Sequence, residues 1–251
     1  MAPHADTDGA VPFTSLYAEP RRPCGLFTVE SPNVSYTDAD IKSKYTYHTT
    51  SVTKASDGTY VARPKAATYN FKVDRKVGKV GMMLVGWGGN NGSTVTAGVI
   101  ANRLGLSWET RDGKKSANYY GSVVMGSTIK LGNDAETGRE VNIPFHEILP
   151  MVHPNDLAIG GWDISSMNLA DAMDRAAVLE PTLKMQVRKQ MNAMRPLPSI
   201  YYPDFIAANQ AGRADNVLEG SKASMSHVES IREDIRLVSS LNRPAFSSRQ
   251  Y

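Results

Sequence analysis

The apolar run Val80-Gly81-Met82-Met83-Leu84-Val85 leads into Gly86-Trp87-Gly88-Gly89-Asn90-Asn91-Gly92-Ser93-Thr94, and Val95, Ala97, Val99, Ile100 and Ala101 follow. A short continuous apolar run, a glycine cluster and then small apolar residues predict a buried strand over 80–86, a tight turn, and a helix over about 92–104. A second buried strand is predicted at Leu157-Ala158-Ile159-Gly160-Gly161-Trp162-Asp163-Ile164, ending in an acid. Leu169, Met173 and Ala176, then Leu183, Val187, Met191 and Met194, recur at helical spacing. Pro181 divides that stretch into two helices and sits in the first turn of the second, where its missing N–H costs nothing. Pro196 and Pro198 end the second helix, Phe205-Ile206-Ala207-Ala208 reads as a short strand, and Met225, Val228, Ile231, Ile235 and Val238 mark one face of a last helix.

Upstream the pattern changes to period-two alternation. Tyr45 to Thr53 and Thr59 to Ala62 read as strands joined by the hairpin signal Asp57-Gly58, and Tyr69-Asn70-Phe71-Lys72-Val73 as a further short strand. Between the two buried strands, Ser127 to Leu131 reads as a strand and Asn133 to Gly138 as a polar loop. The expected fold class is α/β: a Rossmann-like, mostly parallel sheet flanked by helices, with an antiparallel strand section before it. The expected organisation is a flexible N-terminal tail over 1–26, the antiparallel section over 27–78, a partial nucleotide-binding domain over 79–238 and a divergent tail over 239–251. A βαβ plan requires a strand after the last helix, and the proline, arginine and serine of 239–251 make a poor one. The tail is either an ordinary extension or a domain cut short.

Composition narrows the function classes. A hydrophobic fraction of 41% supplies a core, and a net charge of +3 without a long basic run gives no reason for a nucleic-acid or membrane-surface partner. The single Cys24 excludes an intrachain disulfide and fits a reducing compartment. No run reaches the ~18 apolar residues of a membrane span, and Met1 to Ser15 lacks a basic start followed by an apolar block. A cytoplasmic protein is expected. His4, His48, His146, His153 and His227 lack metal-ligand spacing, so no metal is expected, and no nucleophile elbow organises the serines.

The candidate chemistry lies in the glycine turn. Glycines let a backbone approach a pyrophosphate closely, and the N–H groups that open a helix face the anion. Gly86 and Gly88 fit the first two positions of G-x-G-x-x-G, but Asn91 stands third and Gly92 comes one residue late. Asn90 and Asn91 can bond phosphate or ribose oxygens, or merely support a turn. Asp163, at a strand end, can accept ribose hydroxyls or cap a helix. Its distance from the glycines far exceeds the usual ~20 residues and implies an insertion between the two strands. Arg213 can neutralise a phosphate or form a surface pair.

Several segments together carry a resemblance: Gly86 to Thr94, Leu149-Pro150-Met151-Val152, Gly161-Trp162-Asp163-Ile164, Asn168 to Met173 and, most specifically, Pro196-Leu197-Pro198-Ser199-Ile200-Tyr201-Tyr202-Pro203-Asp204-Phe205-Ile206-Ala207-Ala208-Asn209-Gln210. From about Phe27 to Val238 the chain resembles the myo-inositol-1-phosphate synthase family, also called inositol-3-phosphate synthase. That resemblance implies an isomerase of inositol and phospholipid biosynthesis that converts D-glucose 6-phosphate to 1D-myo-inositol 3-phosphate. In the family the sugar is oxidised by a tightly held NAD, the ketone acidifies a neighbouring C–H, an intramolecular aldol closes the ring, and hydride returns. It further implies NAD contacts at Gly88, Gly89, Asn90, Asn91, Asp163, Ser199, Ile200, Gln210 and Arg213, and a homotetramer. The family's catalytic lysines lie in a continuation that no residue here matches, so no catalytic residue is assigned. The alternative is a catalytically dead NAD-binding or subunit-interaction fragment; a generic NAD-dependent dehydrogenase fits the specific motifs less well.

Overall fold

The structure, a computed structural model, describes residues 28–205, 208–219 and 225–241. In chain order its strands and α-helices are β1 (Val34–Tyr36), β2 (Asp40–Lys54), β3 (Tyr60–Asp74), β4 (Gly81–Val85), α1 (Asn90–Arg103), β5 (Ser107–Thr110), β6 (Gly113–Ser116), α2 (Val123–Gly126), β7 (Thr128–Asn133), β8 (Glu140–Pro144), β9 (Ala158–Asp163), α3 (Leu169–Ala176), α4 (Pro181–Asn192), β10 (Leu197–Pro198) and α5 (Met225–Leu241). Among the described residues, 79–119 and 152–241 gather into one compact unit, and 28–78 with 120–151 into a second. The stretch 120–151 therefore interrupts the first unit in sequence. It accounts, with the β5–β6 hairpin, for the long separation of Asp163 from the glycine turn. No helix of the described residues is long and apolar enough to cross a membrane.

The second unit holds antiparallel strands. Strands β1, β2 and β3 form one sheet in that order, and β2 pairs with β3 from Asp40↔Asp74 to Lys54↔Tyr60. At the turn, Gly58 takes φ +88° and the Asp57 carboxylate accepts the Thr59 N–H at 2.9 Å. The expected short strand at Tyr69–Val73 is not separate. One strand runs through Pro64 from Tyr60 to Asp74, because among the described residues β3 pairs on one side only and a proline is tolerated on a free edge. Strands β7 and β8 form a hairpin around the polar loop expected at 133–138.

The first unit carries the parallel sheet, in the order β10-β9-β4. β4 runs beside β9 from Gly81↔Ala158 to Val85↔Trp162, and β10 beside the far end of β9 at Leu197↔Trp162 and Pro198↔Asp163. All six residues of β9 are buried, as a central parallel strand covered on both faces requires. On one face Ile159 joins Trp87, Ala97, Ile100, Leu169, Met173, Val187 and Met191 in the core built with α1, α3 and α4. On the other, the Trp162 indole N–H donates to Asp234 of α5 at 2.7 Å. Asn168 caps α3 by accepting the Asp171 N–H at 2.9 Å, and Pro181 opens α4 as expected.

Further expectations are corrected or extended. Phe205 to Ala208 is not a strand: Phe205 closes a turn and Ala208 opens a 3-10 helix running to Arg213, while Ile206 and Ala207 lie outside the described residues. The prolines after α4 do more than end it, since Leu197–Pro198 pairs as β10 at the sheet edge, where Pro198 needs no second partner. The last helix continues through Leu241, so Ser239 to Leu241 are helical rather than tail. The N-terminal tail expected over 1–26 and the remainder of the C-terminal one lie outside the described residues.

Candidate functional site

The glycine turn is held from below and from behind. Gly86 takes φ +78°, which glycine alone adopts without strain, and the N–H groups of Gly86 and Trp87 both donate to the Trp162 carbonyl, at 2.8 and 2.9 Å. Gly89 N–H closes the turn on the Gly86 carbonyl at 2.8 Å. Trp87 is fully buried and points into the core. Its indole N–H donates to the Thr96 hydroxyl at 2.9 Å, and that hydroxyl donates to the Gly92 carbonyl at 2.7 Å. A side chain at Gly92 would place its Cβ 2.3 Å from the Trp87 carbonyl oxygen. The glycine that falls one residue late in the generic fingerprint thus lets α1 start flush against the turn.

Helix α1 opens with Gly89 as its N-cap, no side-chain cap and no acid in its first turn. The N–H groups of its first turn have no intrahelical acceptors, and the helix dipole adds the equivalent of roughly half a positive charge there. A cleft of about 540 Å³ lies over this end, lined by Leu84, Val85, Gly86, Gly89, Asn90, Asn91, Gly92 and Val95. A cleft of that size is in the range of small-molecule sites. Its wall is mostly apolar, and the Asn90 and Asn91 side chains with the open N–H groups of the helix start are the polar part that suits a phosphate-bearing ligand.

Beside the turn stands a buried acid. Asp163 is 2% exposed, and its Oδ1 accepts from the Ser165 N–H and from Arg213 Nη1, both at 3.0 Å. Its Oδ2 is buried and meets no hydrogen-bond partner among the described residues. That oxygen faces the turn: a Cβ built on Gly88 would lie 3.2 Å from it. An unpartnered buried carboxylate oxygen is costly unless a ligand hydroxyl completes it. Arg213 also donates through Nε to Gln210 Oε1 at 2.5 Å, so Asp163, Arg213 and Gln210 form one hydrogen-bonded group next to Gly88. Asn216 fixes the strand end beneath them, donating to the carbonyls of Asp163 at 3.0 Å and Pro196 at 3.3 Å.

The structure therefore brings Gly88, Asp163, Gln210 and Arg213 together, and sets Gly89, Asn90 and Asn91 on the helix opening that follows. Ser199 and Ile200 come just after β10 and so lie by the same end of β9. The Ser199 N–H donates to the Asn216 carbonyl at 3.0 Å, while Ile200 remains 37% exposed. Sequence reasoning missed Ser165 and Asn216, whose partners are set by the fold. It also missed Arg175, whose Nη2 donates to the Gly88 carbonyl at 2.6 Å across 87 positions. No local signal marks an arginine on α3 for that contact.

The chain is similar to known proteins over most of its length. Residues 80–243 match the model of an NAD-binding domain described as myo-inositol-1-phosphate synthase. Inositol-3-phosphate synthase 1 of Oryza sativa is 54% identical over 212 residues, 84% of this chain and 41% of the relative. Inositol-3-phosphate synthase 1 of Bos taurus is 55% identical over 210 residues, 84% of this chain and 37% of the relative. The crystal structure of inositol-3-phosphate synthase from Caenorhabditis elegans superimposes with a TM-score of 0.78 at 46% identity, covering 85% of this chain and 42% of that one. The chain spans about two fifths of the length of the relatives it matches.

Proposed function

The chain belongs to the myo-inositol-1-phosphate synthase family, and from that membership we propose that it is the NAD-binding portion of an inositol-3-phosphate synthase, which turns D-glucose 6-phosphate into 1D-myo-inositol 3-phosphate. NAD is the cofactor of this domain. The observation that carries its placement is the Asp163 carboxylate, buried, with Oδ2 unpartnered and turned toward Gly88.

The residues present fit the cofactor. The open N–H groups of α1 and the amides of Asn90 and Asn91 suit its pyrophosphate, and the free Asp163 oxygen suits a ribose hydroxyl. Gln210 and Arg213 hold Asp163 in place, and Ser199 and Ile200 border the same strand end. When bound, NAD supplies a hydride acceptor that is later the hydride donor, so that the sugar is oxidised and then reduced with no net change. The part of this chain is to bind and orient that group and to keep the carboxylate shielded from water. In the family the sugar carbonyl and phosphate are held by lysines with no match here, so the 251-residue chain binds NAD without cyclising glucose 6-phosphate. Glucose 6-phosphate as substrate, assembly into a homotetramer and a cytoplasmic location belong to this proposal for the whole enzyme.

Calorimetric titration of NAD into the chain and into Asp163→Ala tests the site. Saturable binding that Asp163→Ala weakens by at least about tenfold is expected, as for a lost charge-assisted hydrogen bond. Equal binding by both proteins would remove Asp163 from the site. Inositol phosphate formed from glucose 6-phosphate by the pure chain would overturn the assignment of the chemistry to other residues.

A further inference from the structure

The carbonyl of Gly88 belongs to the peptide immediately before the N-cap of α1, and both ends of that peptide are held. Its N–H, on Gly89, donates to the Gly86 carbonyl at 2.8 Å, and its oxygen accepts from Arg175 Nη2 at 2.6 Å. Arg175 stands in the last turn of α3. The two acids of that helix are already spent on α4: Asp174 pairs with Lys184 at 3.0 Å and with Arg188, and Asp171 pairs with Arg188 at 3.3 Å. Arg213, the other guanidinium near the turn, is neutralised by Asp163. Among the described residues Arg175 has no carboxylate partner, and its side chain lies on the exposed surface. A guanidinium offers five N–H donors, and the Gly88 carbonyl uses one.

We propose that Arg175 is a positioning residue of the NAD site: it locks the Gly88–Gly89 peptide and lends an uncancelled positive charge to the diphosphate end of the cofactor. The inference rests on the reading of the glycine turn as that site. Two effects follow from one side chain. The locked peptide fixes the direction in which α1 presents its first N–H groups, and the charge adds to the helix dipole rather than being cancelled by a neighbouring acid. Both act on the diphosphate, and Arg175 itself is an exposed residue rather than part of the buried core.

The test compares the 251-residue chain with Arg175→Gln and Arg175→Lys, titrating NAD and ADP by calorimetry at several salt concentrations and recording the melting temperature of each ligand-free protein. Arg175→Gln should bind NAD and ADP about tenfold more weakly, with a shallower salt dependence, at an essentially unchanged melting temperature. Arg175→Lys, which keeps the charge and loses the planar fork, should recover part of the affinity and the full salt dependence. Native NAD affinity in Arg175→Gln would overturn the inference while leaving the site intact. So would an affinity loss matched by a fall in melting temperature with the native salt dependence. Failure of the unaltered chain to bind NAD would overturn the site itself and this inference with it.

Discussion

Replacing Gly92 with alanine puts a methyl group where the backbone already is. The added Cβ would stand 2.3 Å from the Trp87 carbonyl oxygen and 2.7 Å from both the carbonyl carbon and the Cα of that residue. All three are main-chain atoms, so no side chain can swing aside, and the start of α1 must move off the turn by roughly 1 Å to restore ordinary contact. Overpacking of this kind costs about 3 kcal/mol, at the upper end of its usual range, or a melting temperature lower by about 6–12 °C for a chain of this size. The control lies on the same helix. A Cβ on Gly98 meets nothing within 4 Å, so Gly98→Ala should gain about 0.5–1 kcal/mol from helix propensity alone. Thermal unfolding followed by circular dichroism distinguishes the two. If Gly92→Ala melts with or above the native protein, α1 does not begin against Trp87, and the account of the late glycine is wrong.

Two further expectations concern the support of the site. Trp87→Phe removes the indole N–H from the Thr96 hydroxyl and leaves a small void in the core. Urea unfolding should show a loss of about 2 kcal/mol, and a change below about 0.5 kcal/mol would mean that Trp87 is not the anchor of the turn. Tyr119 donates its hydroxyl to Asn155 Oδ1 at 2.6 Å, and burial pushes its pKa up from 10.0 to about 12, the Arg103 charge opposing and the Asp156 charge assisting. Because the folded value is the raised one, the stabilisation is complete below pH 10 and is lost as pH climbs from about 10 to about 12. An absorbance titration of tyrosinate should show a late step that Tyr119→Phe abolishes. A single step near pH 10 for every tyrosine would contradict the burial of this one.

What was legible in the sequence was local. The run from Val80 to Ala101 specifies strand, turn and helix because apolar residues, glycines and small helix formers follow one another directly, and Pro181 marks a helix start by its own covalent geometry. The rest depends on partners far along the chain. Leu197 and Pro198 carry no strand signal and become one only by lying beside Trp162 and Asp163. Pro64 breaks the strand pattern in sequence, yet a free edge accepts it. In the site, Asp163 was visible as a strand-end acid, but its bond to Arg213 spans 50 positions and its approach to Gly88 more. The roles of Ser199, Ile200 and Gln210 came from resemblance alone. Arg175 on Gly88 and Trp162 on Asp234 join residues 87 and 72 positions apart, and no periodicity announces such contacts.

The claim that the glycine turn and Asp163 together hold NAD is tested most directly by hydrogen exchange of the backbone amides with and without the cofactor. Saturating NAD should slow exchange across Gly86 to Ser93, at Ser165 and over Gln210 to Arg213, and leave the β2–β3 hairpin unchanged. Unaltered exchange in the turn, or protection confined to other segments, would contradict it.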